Sequence, residues 1–203
     1  MTAPAARSGT PFGVLVVCTG NVCRSPVAEA LLREQLGPVA DVTVASAGLS
    51  ALTGAGLDAG AAAALGDPLP DFRARQVTPE GVSEADLVLT MTRVHRSELV
   101  QQAPLALRRT FSLREFAALA GLAVDEGHVA GAGPAERLAT LTAAAPRLRS
   151  RRVPGPDDDV EDPYGRSPED HARAVRRIRE AVATVAAAAG APRTRAADGA
   201  VRA

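Results

Sequence analysis

Val14-Leu15-Val16-Val17-Cys18-Thr19-Gly20-Asn21-Val22-Cys23-Arg24-Ser25-Pro26 is a stretch in which an apolar run ends in a cysteine and turns straight into a helix. The valine-dominated run 14–17 reads as a buried strand. Pro26 followed by Val27, Ala28, Ala30, Leu31 and Leu32 reads as the opening of a helix with an apolar face, spanning Ser25 to Leu36 and stopped by Gly37-Pro38. The loop between strand and helix begins with a potential nucleophile and ends with a fixed positive charge.

Working outward, Val42 to Ser46 alternates as a strand does, with Ala47-Gly48 turning the chain, and Leu49 to Gly60 reads as a loop of small residues. Leu57 to Leu65 reads as a short helix, Asp71 to Gln76 as a turn carrying Arg73 and Arg75, and Thr78-Pro79-Glu80 as a capped helix start. Leu87 to Met91 is a third strand, Thr92 caps a helix to about Gln102, and Thr110 to Leu113 is a fourth strand. Strands alternating with helices predict the α/β class: a doubly wound, four-stranded parallel sheet with helices on both faces. Ligands of such sheets bind beyond the carboxyl ends of strands, where Cys18 lies. Residues 119–156 are rich in Ala, Arg and Gly, carry a predicted helix from Pro134 to Ala145 and end in Arg147, Arg149, Arg151 and Arg152; they read as a solvated insertion. A last helix opens at Ser167-Pro168-Glu169-Asp170 and shows an apolar face of Ala174, Val175, Ile178, Val182 and Val185. The expected organisation is a flexible leader over 1–12, one domain over 13–189 and a disordered tail over 190–203.

A chain of 203 residues with 46% hydrophobic content holds one good core. All 23 basic residues are arginine, and 23 acidic residues balance them to zero net charge, so nothing here favours nucleic acid. No apolar run reaches the roughly 20 residues of a membrane span, and the first residues lack the apolar core of a signal peptide; a cytoplasmic protein without membrane insertion is expected. Two cysteines, at 18 and 23, point to chemistry or redox sensing rather than to a disulfide framework. His95, His128 and His171 are scattered and read as surface residues, so no metal and no cofactor are expected.

A thiol with an ordinary pKa of about 8.5 is mostly protonated at neutral pH and needs help to act as a nucleophile. If Thr19, Gly20, Asn21, Val22, Cys23 and Arg24 wrap into a cradle, their N–H groups form an anion nest, and the helix near Ser25 adds its positive end. The Ser25 hydroxyl can donate to the thiolate at Cys18. The same donors suit a phosphate, and the planar fork of Arg24 fits two of its oxygens. Gly20 permits a turn with positive φ, and Asn21 tolerates one while its amide braces the loop. A bare buried cysteine beside a helical arginine is the bland alternative, but a cation at a helix N-terminus is unfavourable unless an anion binds there. Cys23 has two readings: a small apolar loop residue, or a resolving thiol that captures oxidised Cys18.

With these residues in view, VLVVCTGNVCRSPVAEALL resembles the signature of the low-molecular-weight protein tyrosine phosphatases. SAG at 46–48, ARQVT at 74–78, ADLVLTMTRVHR at 85–96, FSLREF at 111–116 and DPYG at 162–165 are similar to family segments in the family's order. The resemblance implies that fold and a phosphocysteine mechanism, with Cys18 as nucleophile, Arg24 binding the phosphoryl group, Ser25 and Asn21 tuning the loop and Ser46 bracing Asn21. It singles out Asp162 from Asp157, Asp158, Asp159, Glu161 and Asp162 as general acid and base, with Tyr164 walling the entrance. It implies a phosphotyrosine protein as substrate and inorganic phosphate as product and inhibitor. Phe72 stands where many relatives place a bracing histidine, and Leu49 and Leu52 stand where they place an aromatic wall; Leu49, Phe72 and Tyr164 are therefore expected at the entrance. Two other activities fit the scaffold: protein arginine phosphatase, whose members carry threonine where this chain has Val22, and arsenate reduction with an external thiol.

Overall fold

A computed structural model of the chain describes residues 11–36 and 41–191. Most of the expected leader, the Gly37-Pro38 helix stop and the tail from 192 onward lie outside the described residues. Strand β1 (Phe12–Cys18) is central in a parallel sheet with β2 (Val42–Gly48), β3 (Leu87–Thr90) and β4 (Thr110–Ser112), ordered β2-β1-β3-β4. Strand side chains alternate between faces, and β1 shows why its sequence is apolar without interruption. Val14 and Val16 enter one buried cluster, Leu15 and Val17 the other. The first cluster packs α1 (Arg24–Leu36), α5 (Leu113–Asp125), α6 (Pro134–Leu148) and α7 (Pro168–Ala188) on one face, with α2 (Ala59–Leu65) beside them. On the other face, Val82 of α3 (Pro79–Glu84) and Leu99 of α4 (Arg93–Gln102) close the second cluster. The doubly wound expectation holds.

Caps were legible. Thr78 accepts from Gly81 N and Thr92 from His95 N, while Ser167 and Asp170 form a reciprocal box at the start of α7. Two expectations need correction. Ala47 and Gly48 do not turn the chain but continue β2, because Gly48 pairs across to Cys18 and bridges to Gln76. The segment after β4 is a helix: Ser112 and Glu115 make a capping box with the spacing of the Ser167–Asp170 box at α7, and Phe116, Leu119, Ala120 and Ala123 bury one face of α5.

Residues 119–156 are not a solvated insertion. α6 places Leu138, Leu141, Ala145 and Leu148 in the main cluster, and Arg137 Nε donates to Ala188 O at 3.1 Å, tying it to the end of α7. Two of the four clustered arginines are anchors. Arg149 Nε pairs with Glu115 Oε1 at 2.8 Å while its guanidinium lies 4.6 Å from the Phe111 ring centroid, a stacked and ion-paired arrangement that suits arginine. Arg152 grips Asp158 with both terminal nitrogens. Leu138 is fully buried, so Leu138→Ala should lower the free energy of unfolding by about 2–5 kcal/mol in urea titration, whereas Leu105→Ala at an exposed site should stay within about 0.5 kcal/mol. Equal small effects would show that α6 is not integral to the core.

Candidate active site

Beyond Cys18 the carbonyls of the loop turn outward and are taken up by a later stretch of chain. Leu49 N donates to Cys18 O at 2.9 Å, Ser50 N to Thr19 O at 3.0 Å, Leu52 N to Gly20 O at 3.0 Å and Asp58 N to Val22 O at 2.8 Å. Since a trans peptide points its N–H opposite to its C=O, the N–H groups that follow these carbonyls turn inward, which is how an anion nest is built. Asn21 N reaches Cys18 Sγ at 3.3 Å. Asn21, with φ of 54°, takes the left-handed conformation; Gly20 does not, which corrects the role expected for it. The glycine that the loop does require is Gly48, where a Cβ would stand 2.4 Å from Thr19 O and 3.0 Å from Asn21 N.

Asn21 sets the direction of a buried chain of hydrogen bonds. Its Oδ1 accepts from Arg75 N at 2.8 Å, so Nδ2 must be the donor to Ser25 Oγ at 2.9 Å and Ser46 Oγ at 2.8 Å. Ser46 then donates to Glu29 Oε2 at 2.6 Å. Ser25, already accepting from Asn21, has its hydroxyl proton to give to Cys18 Sγ at 3.0 Å, a shorter contact than the alternative acceptor Ala47 O at 3.4 Å. The bracing expected of Ser46 is present. Phe72 leaves no hole in it, because the Arg75 backbone takes the Asn21 carbonyl and Glu29 takes the far end. Sequence reasoning missed Glu29; its signal is a carboxylate on the buried face of α1, one turn after Ser25, ion-paired to Arg33 at 2.8 Å.

Arg24 is buried, as the start of α1 requires of a side chain folded back over the loop. Its Nη1 donates to Val160 O at 3.1 Å and its Nη2 meets Asp162 Oδ2 at 2.6 Å, while its buried Nε has no hydrogen-bond partner among the described residues. Of the five clustered acidic residues, Asp162 is therefore the one brought to the loop. Asp158 and Asp159 hold the segment in place. Asp159 accepts from Arg93 N at 2.7 Å, and Asp158 is sealed beneath Arg152. Burial opposes ionisation of Asp158, but the Arg152 fork and the Gly155 N–H outweigh it and hold the carboxyl below the usual carboxylate range. Val160 N donates to Met91 O at 2.8 Å, fixing the acidic segment to the end of β3.

The entrance differs from expectation. Leu49 is buried in the second cluster, and Phe72 lies half-buried against the main core beside Leu57 and Leu65. Neither walls the loop. The apolar side chain next to Gly20 is Leu52, 46% exposed, and across the loop Tyr164 is 57% exposed beside Asp162, whose Oδ1 accepts from Tyr164 N. Two histidines also depart from the surface reading. His171 is buried near Cys23 and Asp58, and His95 is buried with Nε2 2.9 Å from Thr19 Oγ1. Burial, and after it the charge of Arg24, pushes the His95 imidazole down to about 4. Cys23 is buried too; burial first and Asp58 second push its thiol up, so it stays neutral.

A buried thiol, a donor-lined loop, a buried guanidinium and a carboxylate share one place at the carboxyl end of β1. The family model for low molecular weight phosphotyrosine protein phosphatase matches residues 13–130. The chain belongs to that family. It is 41% identical over 105 residues to the probable low molecular weight protein-tyrosine-phosphatase EpsP of Ralstonia nicotianae, covering 50% of this chain and 70% of that one. Among solved structures, the YwlE arginine phosphatase from Geobacillus stearothermophilus aligns with a TM-score of 0.63 at 27% identity, over 87% of this chain and 92% of its own. Wzb of Vibrio vulnificus in complex with benzylphosphonate aligns with a TM-score of 0.61 at 28% identity, over 87% and 97%. Asp162 and α7 follow the residues matched by the family model, so the position of Asp162 in this phosphatase-family chain is read from its contact with Arg24 rather than from that match.

The His95 environment makes a signed prediction. An unfolded histidine titrates near 6.5, whereas the native imidazole resists protonation down to about 4. Between those values the unfolded chain takes up a proton that the folded chain refuses, so the native state loses stability as pH falls through that window. The stability difference between the parent chain and His95→Gln should therefore shift against the parent from pH 7 to pH 5 in urea titrations. An identical difference at both values would mean that His95 is not buried in its neutral form.

Proposed function

We propose that the chain hydrolyses phosphotyrosine monoesters on proteins, with Cys18 as nucleophile, Arg24 as phosphoryl clamp and Asp162 as general acid and base. The observation that carries this reading is the Arg24 side chain, whose buried Nε lacks a partner while its Nη2 holds Asp162, so one guanidinium joins the anion site to the acid. A phosphoryl group seated in the cradle of Thr19, Gly20, Asn21, Val22, Cys23, Arg24 and Ser25 accepts from Nε and takes the place of the carboxylate on Nη2. Asp162 is then released toward the leaving oxygen. The Cys18 sulfur attacks phosphorus, the P–O bond to the tyrosine breaks, and Asp162 passes its proton to the departing oxygen. In the second step a water attacks the phosphocysteine, Asp162 accepts the water's proton, and the S–P bond breaks to return Cys18 and inorganic phosphate. Phosphate is thus both product and inhibitor. All the groups used belong to the chain, which needs no cofactor and acts in the cytoplasm.

Leu52 and Tyr164 give the entrance two apolar surfaces, which suits a flat aromatic ring. The arginine phosphatase among the structural relatives keeps a second reading open on one residue: Val22 supplies no hydroxyl to orient a guanidinium, so tyrosine is favoured. Arsenate reduction is the third, and with Cys23 the one other cysteine in the chain it needs an outside thiol.

Incubation with a phosphotyrosine peptide, a phosphoarginine peptide, and arsenate plus thiol reductants compares these activities directly. Phosphate release from the first, lost in Cys18→Ser, is expected; arsenate turnover with neither peptide cleaved would refute the proposal. Asp162→Ala should slow aryl phosphates with poor leaving groups by about 10²-fold or more and those with good leaving groups far less. Equal slowing of both would remove Asp162 from the acid role.

A further inference from the structure

Beside the loop, three side chains of metal-ligand type converge from separate elements. Cys23 precedes α1, Asp58 caps α2 and His171 sits in the first turn of α7, and one donor atom from each lies within 4.8 Å of the others. A tetrahedral site with ordinary Zn–S, Zn–N and Zn–O distances of about 2.0–2.3 Å has ligand edges of about 3.5 Å, so side-chain shifts of about an ångström close it. His171 Nε2 is already 3.6 Å from Asp58 Oδ1.

The polar groups here are poorly satisfied. His171 is 4% exposed, its buried Nδ1 has no partner among the described residues, and Nε2 stands too far from Asp58 for a hydrogen bond. Buried polar groups are nearly always paired, and those that are not call for a reason. The chain also makes room for this imidazole: a Cβ at residue 60 would stand 2.7 Å from His171 Nε2, and Gly60 is the one break in an otherwise alanine first half of α2. Cys23 and His171 line a cleft that runs between Pro163 and α7, which gives an ion a path in.

We propose that Cys23, Asp58 and His171 form a site for a divalent cation of the zinc class, with the fourth position open to the cleft. One thiolate, one imidazole and one carboxylate are the donor set that this class accepts. On binding, the Cys23 S–H bond gives its proton to solvent and a metal–sulfur bond forms, with no change of oxidation state. Two ligand charges then neutralise the ion, so the complex itself is neutral beside Arg24. The bound ion crosslinks the loop to α2 and α7. It also withholds Cys23 from the oxidised form of Cys18.

Cobalt(II) is the probe, titrated into the full chain carrying Cys18→Ser, in which Cys23 is the one thiol. One equivalent should produce thiolate-to-cobalt charge-transfer absorption with tetrahedral d–d bands, removed by added Zn²⁺, and a raised Tm. His171→Phe, His171→Gln and Asp58→Asn, the last keeping the cap of α2, should each weaken cobalt binding about tenfold or more with an unchanged circular dichroism spectrum. If His171→Phe fails to fold, the glutamine and asparagine variants decide. No sulfur-to-cobalt band, or a band of undiminished affinity in the folded His171 and Asp58 variants, would overturn the site.

Discussion

The orientation of one side-chain amide governs this molecule. Because Arg75 N–H occupies the Asn21 carbonyl, the Asn21 NH₂ has to face Ser25 and Ser46, and every hydroxyl downstream inherits its direction. Ser25 is left to donate to sulfur and Ser46 to Glu29. Reversing the amide would set two donors against each other at Arg75 and leave the Ser25 proton with no obligation to the thiol. In a buried, low-dielectric site such a network is valuable when fully satisfied and costly when half made. That places the strain of a left-handed Asn21, with φ of 54°, in context: the conformation is held by two side chains and one backbone N–H from three different stretches of sequence.

Local rules made much of this legible and topology hid the rest. The strand-cysteine-helix junction, the caps at Thr78, Thr92 and Ser167, and the apolar face of α7 each depend on neighbours within a turn or two, and each was readable. α5 was equally local, since Ser112 and Glu115 repeat the capping-box spacing; the preceding strand pattern obscured it. Leu49 and Phe72 could not be placed because a loop residue's direction depends on which cluster it meets after the chain has folded. His95 and His171 were read as surface residues for the same reason: one anchors on Thr19 and the other on space left by Gly60, contacts more than 70 and 110 residues away in sequence. Glu29 needed only a question about why a carboxylate should sit on a buried helix face.

The region from α6 to the acidic segment shows how a stretch that looks compositionally empty can serve the site. Its alanines and leucines bury a helix against α5, and its arginines reach forward to residues that precede Asp162. Arg149 joins it to Glu115 and Phe111, and Arg152 joins it to Asp158. The carboxylate at 162 is half-exposed, yet the backbone leading to it is pinned at Asp158, Asp159 and Val160. The arrangement is a free tip on a fixed root.

The outward carbonyls of the loop carry a consequence for how the molecule comes into being. Four of them are closed by N–H groups of residues 49, 50, 52 and 58, and the loop rests on Gly48 besides. A peptide ending at α1 would hold the whole signature and none of those donors, so the cradle cannot be an autonomous motif. It is complete only where β2 has docked on β1 and the following segment is laid across it. A nascent chain that ends before residue 58 therefore carries Cys18 without its full cradle.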